Sequence, residues 1–315
     1  MIIYGAGMAG LLAANILRRY QPVIHEAQNF LPNNHAALLR FRTPDVGAAC
    51  GVRFKNVHVA KAISYERKLY NEPTVFFSNQ YSLKVTGSVI HRSIDNLENA
   101  SRYIAPLNLI ELMAVNCTIH YDSKLEALTP LVELKANKNV EPIISTIPMP
   151  LMMKLAGWSP TVAEFKFKPI WIQRATITEP DIDVYQTIYY PDKKLTYYRA
   201  SVMGNTVIIE HSEPPEQNPG PLIMTTLRED FGIDATKLVD LKSSEQKYGK
   251  ILPIDDKLRK DFILMLSEEY GIYSLGRFAT WRQLLLDDLV ADIDIIEKFI
   301  LGSHSYDYSL ETIDV

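Results

Sequence analysis

Gly5, Ala6, Gly7, Met8, Ala9 and Gly10 spell G-x-G-x-x-G directly after the apolar run MIIY. Glycines at this spacing suit either a tight turn that holds no ligand or, with the strand, helix and acidic residue that follow here, a turn that holds a pyrophosphate. The first permits a tight turn, the second lets the backbone approach phosphate oxygens, and the third lets the following helix pack closely on the strand. That helix, read from AGLLAANILRRY, points free N–H groups at the anion. Glu26, with Ala27 beside it, closes the second apolar run PVIHEA. A carboxylate about 20 residues after the turn accepts hydrogen bonds from ribose hydroxyls, whereas an arginine there would suit a 2′-phosphate. The expected ligand is a dinucleotide with an unphosphorylated adenosine ribose. The motif itself does not separate NAD from FAD.

Other residues could serve the same ligand or its substrate. Arg40 and Arg42 lie in a basic stretch that either reaches a cofactor phosphate or forms a solvated face. Thr146 ends the buried-type strand PIISTI, which two prolines stop. Ligands of doubly wound sheets lie at the carboxyl ends of strands, so the 145–148 turn is expected to touch the cofactor region. In LTYYRASV, period-2 alternation places Tyr197, Arg199 and Ser201 on one face and Tyr198, Ala200 and Val202 on the other. The first set makes the polar face. Arg199 is the candidate anchor for a substrate carboxylate or phosphate, with Tyr197 lining the cleft, and these two are the catalytic candidates. No histidine or cysteine spacing suggests a metal.

The elements that must position these residues follow from the pattern. MIIY, the glycine turn, the helix and PVIHEA form strand, turn, helix, strand. Residues 52–89 read as an insertion of short strands, PLNLIELMAVN as a helix and CTIHY as a strand returning to the main sheet. From 168 to 211, KPIWIQRATI, DVYQTIYY, KLTYYRASV and NTVIIEH read as an antiparallel meander separated by turns. PGPLIMTTLREDFG and DATKLVDLKSS read as helices, and QKYGKILPIDDKLRKD as irregular. The strand GIYSL, a turn at Gly276 and an amphipathic helix from LLLDDLVADIDIIEKFI complete a second strand–turn–helix unit, with acidic residues in the first helical turn where the dipole favours them. The expected fold is α/β, a Rossmann-like doubly wound dinucleotide-binding domain, made an FAD-binding domain by the resemblance described next, with an inserted antiparallel-sheet (α+β) substrate domain. Segments 1–50, 100–150 and 262–315 would form the first domain, and 51–99 and 151–261 the second.

The pair GAGMAG…HEA and YSLGRFATWRQLLLDDLVADI resembles the flavoenzyme superfamily of amine oxidases, protoporphyrinogen oxidases and, most closely at the C-terminal motif, UDP-galactopyranose mutases. ISTIP resembles a strand exit common there. The resemblance covers about a third of the chain and leaves the substrate domain unmatched. It implies FAD rather than NAD. It also implies Gly5, Gly7 and Gly10 at the pyrophosphate, Glu26 at the ribose, Arg277 at the pyrophosphate, and Asp288 with its helix N-terminus beside the flavin. Gly276, Trp281 and Leu286 of the same motif join the cofactor-binding candidates. The chain also looks like compact flavoproteins encoded by bacteriophages.

Composition bounds the function. With 315 residues, 47% hydrophobic and 22% charged, the chain has the make-up of an ordinary globular protein large enough for two connected domains. A net charge of -4 does not indicate a nucleic-acid partner, although a local basic groove stays compatible with it. Two cysteines are too few for a disulfide framework and point to a reducing compartment. No apolar run has the length of a membrane span. The first strand leaves no room for a signal peptide, so a cytoplasmic location, host cytoplasm for a phage protein, is expected. The leading function is an FAD-dependent oxidoreductase acting on a C–N bond of an amine or amino acid. The alternatives are a non-redox mutase acting on a nucleotide sugar and a flavin-dependent lyase acting on amino-acid-modified thymine in phage DNA.

Overall fold

The computed structural model describes residues 1–32, 40–89, 94, 96–136, 141–158, 165–178, 182–215 and 221–310, with backbone alone at 221, 222, 248 and 303–310. Its first half runs β1 (Ile2–Tyr4), α1 (Met8–Ile16), β2 (Val23–His25), β3 (Arg40–Phe41), α2 (Asp45–Cys50), β4 (Lys55–Tyr65), β5 (Lys68–Tyr70), α3 (Val75–Thr86), β6 (Ala100–Ile104), α4 (Leu109–Ala114), β7 (Thr118–His120), α5 (Leu131–Ala136), β8 (Ile143–Ser145) and α6 (Met149–Leu155). The second half runs β9 (Phe167–Ile177), β10 (Tyr185–Tyr189), β11 (Tyr197–Met203), β12 (Thr206–His211), α7 (Pro221–Phe231), β13 (Leu238–Ile251), α8 (Asp256–Tyr270), β14 (Ile272–Ser274) and α9 (Leu286–Leu310).

Two sheets organise these elements. The first is parallel, in the order β14-β8-β1-β2-β7. Its central strand opens the chain, and its two neighbours come from residues 23–25 and 143–145, so the strand order reverses beside β1. Each strand is three residues long, and the three central ones, β8, β1 and β2, are mostly β-branched or apolar and buried at their middle residue. Ile3, Ile24 and Ile144 pack with Leu11, Leu12 and Leu17 of the α1 region and Ile293, Ile296 and Ile300 of α9 in one core. On the other side, Met149, Met152 and Met153 of α6 pack with Phe262 and Leu266 of α8.

The second sheet has the order β13-β9-β12-β11-β10-β4-β6-β3, with β5 paired to β4. It is mixed rather than antiparallel as expected, because β4 runs parallel to β10. β3 and β6 fall in segments expected to serve the cofactor, yet they pair into this sheet. The meander from 167 to 211 forms as its alternation predicts. Elsewhere the expectation is corrected. Residues 52–89 hold an 11-residue strand, a three-residue strand and a 12-residue helix instead of short strands alone. Helix α3 forms despite its β-prone Val, Phe, Tyr and Thr because Thr74 caps it, accepting from Phe77 N at 3.2 Å, and because Phe77, Tyr81 and Val85 pack on the sheet. DATKLVDLKSS is not a helix: Leu238 begins the 14-residue strand β13, and α8 follows with Asp255 as its cap.

Candidate functional site

Gly5 and Gly10 are glycines for reasons inside the protein. Gly5 has φ of 102°, and a Cβ there would overlap the hydroxyl of Thr146; a Cβ on Gly10 would overlap the carbonyl oxygen of Gly5. Thr146 seals this junction of β1 and β8 by donating from its backbone N and its Oγ1 to Tyr4 O, both at 2.9 Å. Gly7 differs. It adopts φ of -71°, open to any residue, a Cβ would meet nothing within 4 Å, and it stands at the N-cap of α1 with no side-chain cap. Beside Gly7 the N-terminus of α1 therefore has space that no described residue fills, and its unpaired first-turn N–H groups and dipole favour an anion there. Glu26 closes the cradle: it is 6% exposed, and its carboxylate accepts from Ala6 N at 2.8 Å and Gln28 N at 2.9 Å. Those bonds fix the carboxylate, while Ala27 next to it is exposed. Donors, space and a fixed acceptor fit a dinucleotide.

The C-terminal turn lies against the same cradle. Gly276 has φ of 95°, and a Cβ there would come within 2.9 Å of Ala9 Cβ. Arg277 points from this turn to the mixed sheet, donating to Gly249 O at 3.3 Å, with its guanidinium 5.7 Å from the Phe278 ring centroid. Trp281 is buried among Met149, Met153 and Phe262, and its Nε1 donates to Leu252 O at 2.9 Å, so it supports the turn from within the core rather than lining the cradle. Leu286 opens α9 and packs on the core. Asp288 reaches back to Leu285 N at 2.8 Å, as in one half of a capping box. It also pairs with the guanidinium of Arg42, whose backbone N donates to Asp287 at 3.1 Å. Burial disfavours the charged form of Asp288, but the Leu285 N–H and Arg42 outweigh it and hold the carboxyl below its ordinary range. Arg42 thus clasps α9 rather than a phosphate.

A second group of polar residues lies on one face of the mixed sheet. Arg199 donates from Nε to Glu210 Oε1 at 2.7 Å and from its terminal nitrogen to the same oxygen, and Tyr198 Oη donates to Glu210 Oε2 at 2.6 Å. Burial opposes charge on Glu210, yet Arg199 and Lys250 keep its carboxyl below the usual value. Arg40 crosses to this group and donates to Thr187 Oγ1 at 2.6 Å. Thr187 in turn shares a 2.9 Å bond with Ser201.

The expected alternation in β11 is corrected here. A bulge between Tyr197 and Arg199 puts Tyr198 and Arg199 on the same face. Tyr197 turns to the opposite face, where it packs with Tyr190, Ile223 and Leu227 and bonds Thr226 at 2.6 Å. Burial pushes its phenol up to about 12. It does not share a cleft with Arg199. The structure thus brings together Gly5, Gly7, Gly10, Glu26, Thr146 and Gly276, and separately Arg40 and Arg199. Sequence reasoning missed Glu210, Thr187 and Lys250; a glutamate in the apolar strand TVIIEH was the available signal.

No protein-family model and no curated protein matches the sequence. Solved structures match in shape. A reduced UDP-galactopyranose mutase superposes with a TM-score of 0.67 at 15% identity, covering 96% of this chain and 93% of that one. A probable FAD-dependent monooxygenase from Pseudomonas aeruginosa gives 0.56 at 13% identity, covering 96% and 86%. An oxidoreductase from Methanosarcina mazei gives 0.54 at 10% identity, covering 87% and 94%. The fold is that of FAD-binding flavoproteins. At such identities the likeness speaks for fold alone. Among the described residues no helix is long and apolar enough to cross a membrane.

Proposed function

We propose that this chain is an FAD-dependent oxidoreductase in which a Rossmann-like doubly wound domain holds FAD and the inserted mixed sheet presents a small-molecule substrate. The observation that carries the reading is Gly7. Its φ and ψ are open to other residues and no atom of the described residues lies within 4 Å of a Cβ there, so a ligand at the α1 N-terminus would give the residue its reason. Gly5, Gly10 and Thr146 would shape the pyrophosphate turn, Glu26 would accept from the adenosine ribose, and Gly276 and the N-terminus of α9 would close the far side. FAD, when bound, supplies the two-electron redox chemistry, and the protein supplies orientation and field. The C–N bond of an amine or amino acid is the reading supported by the resemblance of the paired glycine motifs to the superfamily that includes amine oxidases. Mutase chemistry on a nucleotide sugar is the second reading, favoured by the near end-to-end superposition on a mutase. Denaturing the purified protein and chromatographing the supernatant tests the cofactor. FAD is the expected product; NAD, or no nucleotide after soaking the protein with FAD, overturns the reading.

A further inference from the structure

We propose that Arg40 receives the anionic group of the substrate, a single carboxylate or phosphate monoester, on the charged face of the mixed sheet. The word substrate rests on the flavoenzyme reading; the anion site rests on the cluster itself. Arg199 and Arg102 both act on Arg40 here, and Lys250 adds a fourth positive charge near Glu210. The carboxylate in this group is Glu210, and both its oxygens are already engaged, one by Arg199 and one by Tyr198. Arg199, the anchor expected from sequence, is therefore committed. Arg40 is not: among the described residues its guanidinium has one hydrogen-bond partner, the Thr187 hydroxyl, and no carboxylate within ion-pair distance. Burial, followed by repulsion from Arg199, pushes Arg40 down to about 10.

Glu210 attracts the partly buried Arg40 without bonding it, so a ligand anion in direct contact would give this guanidinium a closer partner. Its remaining donors match the two oxygens of a carboxylate or phosphate. The Thr187 hydroxyl holds the fork in place. Two chain connections set the cluster beside the cofactor cradle. Arg42, two residues after Arg40, is bound to Asp287 and Asp288 at the start of α9, and Gly249, next to Lys250, accepts from Arg277 of the Gly276 turn. Arg102 spends a donor on the adjacent Ser101 O at 2.7 Å, and Arg40, held by Thr187, offers one bidentate fork, which fits one anionic group.

The test is the thermal shift of the purified protein titrated with inorganic phosphate and, separately, with sodium acetate, each against sodium chloride at equal ionic strength. Wild type is expected to gain melting temperature saturably with at least one of the two, and the effective anion names the class. Arg40→Met is expected to weaken that anion about tenfold or more, with Arg40→Lys between the two. FAD content, read by absorbance, is expected to be unchanged in both variants. Equal anion response in wild type and Arg40→Met, or no response in wild type, overturns the proposal. Loss of FAD in Arg40→Met also overturns it and returns Arg40 to the cofactor site. If Arg40→Met does not fold, Arg40→Lys decides: undiminished anion affinity there overturns the bidentate site. Anion binding that depends on Arg40 in a protein devoid of FAD would uphold the anion site while refuting the flavoenzyme reading.

Discussion

The cradle at the end of the parallel sheet and the charged face of the mixed sheet solve opposite problems. The cradle is made of backbone: glycines, first-turn N–H groups and one carboxylate fixed by two main-chain donors. Its one buried charge, Glu26, is met by main-chain N–H groups. The mixed sheet instead sets side-chain charge against side-chain charge, with Arg199 and Glu210 locked together and His211 fully enclosed one residue along. Backbone sites are sensitive to a single added methyl group; buried-charge sites are sensitive to the loss of a partner and to pH.

The sharpest test of this contrast is Arg199→Met. Leaving Glu210 buried without its cation is expected to cost about 3–5 kcal/mol in urea unfolding, and adding Glu210→Gln should recover part of the loss. A cost under about 1 kcal/mol would show that the pair is solvated like a surface bridge.

Acid should also act through the mixed sheet. Burial, then Lys84, pushes His211 down to about 4, while Glu210 acts in the other direction. Its Nε2 meets Gln173 at 3.1 Å, and its Nδ1 has no hydrogen-bond partner among the described residues. The unfolded chain takes up the proton near pH 6.5 and the folded chain does not. The stability tied to neutral His211 is thus fully present above about pH 6.5 and is lost as pH falls toward 4, by roughly 3 kcal/mol. His211→Gln should flatten the dependence of the urea midpoint over this window, and an unchanged slope would remove His211 as its source.

In the cradle, Gly10→Ala should destabilise the apoprotein by about 1–3 kcal/mol, since its methyl meets the Gly5 carbonyl and neither backbone can yield. Gly7→Ala should act mainly on the ligand. At an N-cap alanine is poorer than glycine, so apoprotein stability is expected to fall by only about 0.5–1 kcal/mol, while FAD affinity falls about tenfold or more as the methyl keeps the phosphate from the N–H groups. If Gly7→Ala leaves FAD binding intact, the open space at the α1 N-terminus is not the pyrophosphate site.

This division also explains what could be read from the amino acids. Gly5, Gly7, Gly10 and Glu26 fall within one short stretch, so spacing alone reports their geometry, and the four meander strands announce themselves by alternation. The charged face depends on register. The bulge before Arg199 reverses the face of Tyr197, and no residue in LTYYRASV signals it. Arg40 meets Thr187 across 147 residues of sequence, a pairing that only the order of strands β10, β4, β6 and β3 determines. Strand β13 was hidden for a related reason. LVDLKSSEQKYGKI has no run of apolar residues, and its partner β9 supplies the pairing that makes it a strand.

The clasp between Arg42 and Asp287 spans 245 residues of sequence. On a ribosome that adds about 5–20 residues per second, roughly 12–50 s separate the emergence of its two halves. During that interval the nascent chain owns the glycine turn and the first helix but not α9 or the Gly276 turn that leans on Ala9. A site that needs both walls is therefore complete only late in synthesis, and a translation pause before residue 272 would hold the chain with its glycine turn made and the opposite wall still unsynthesised.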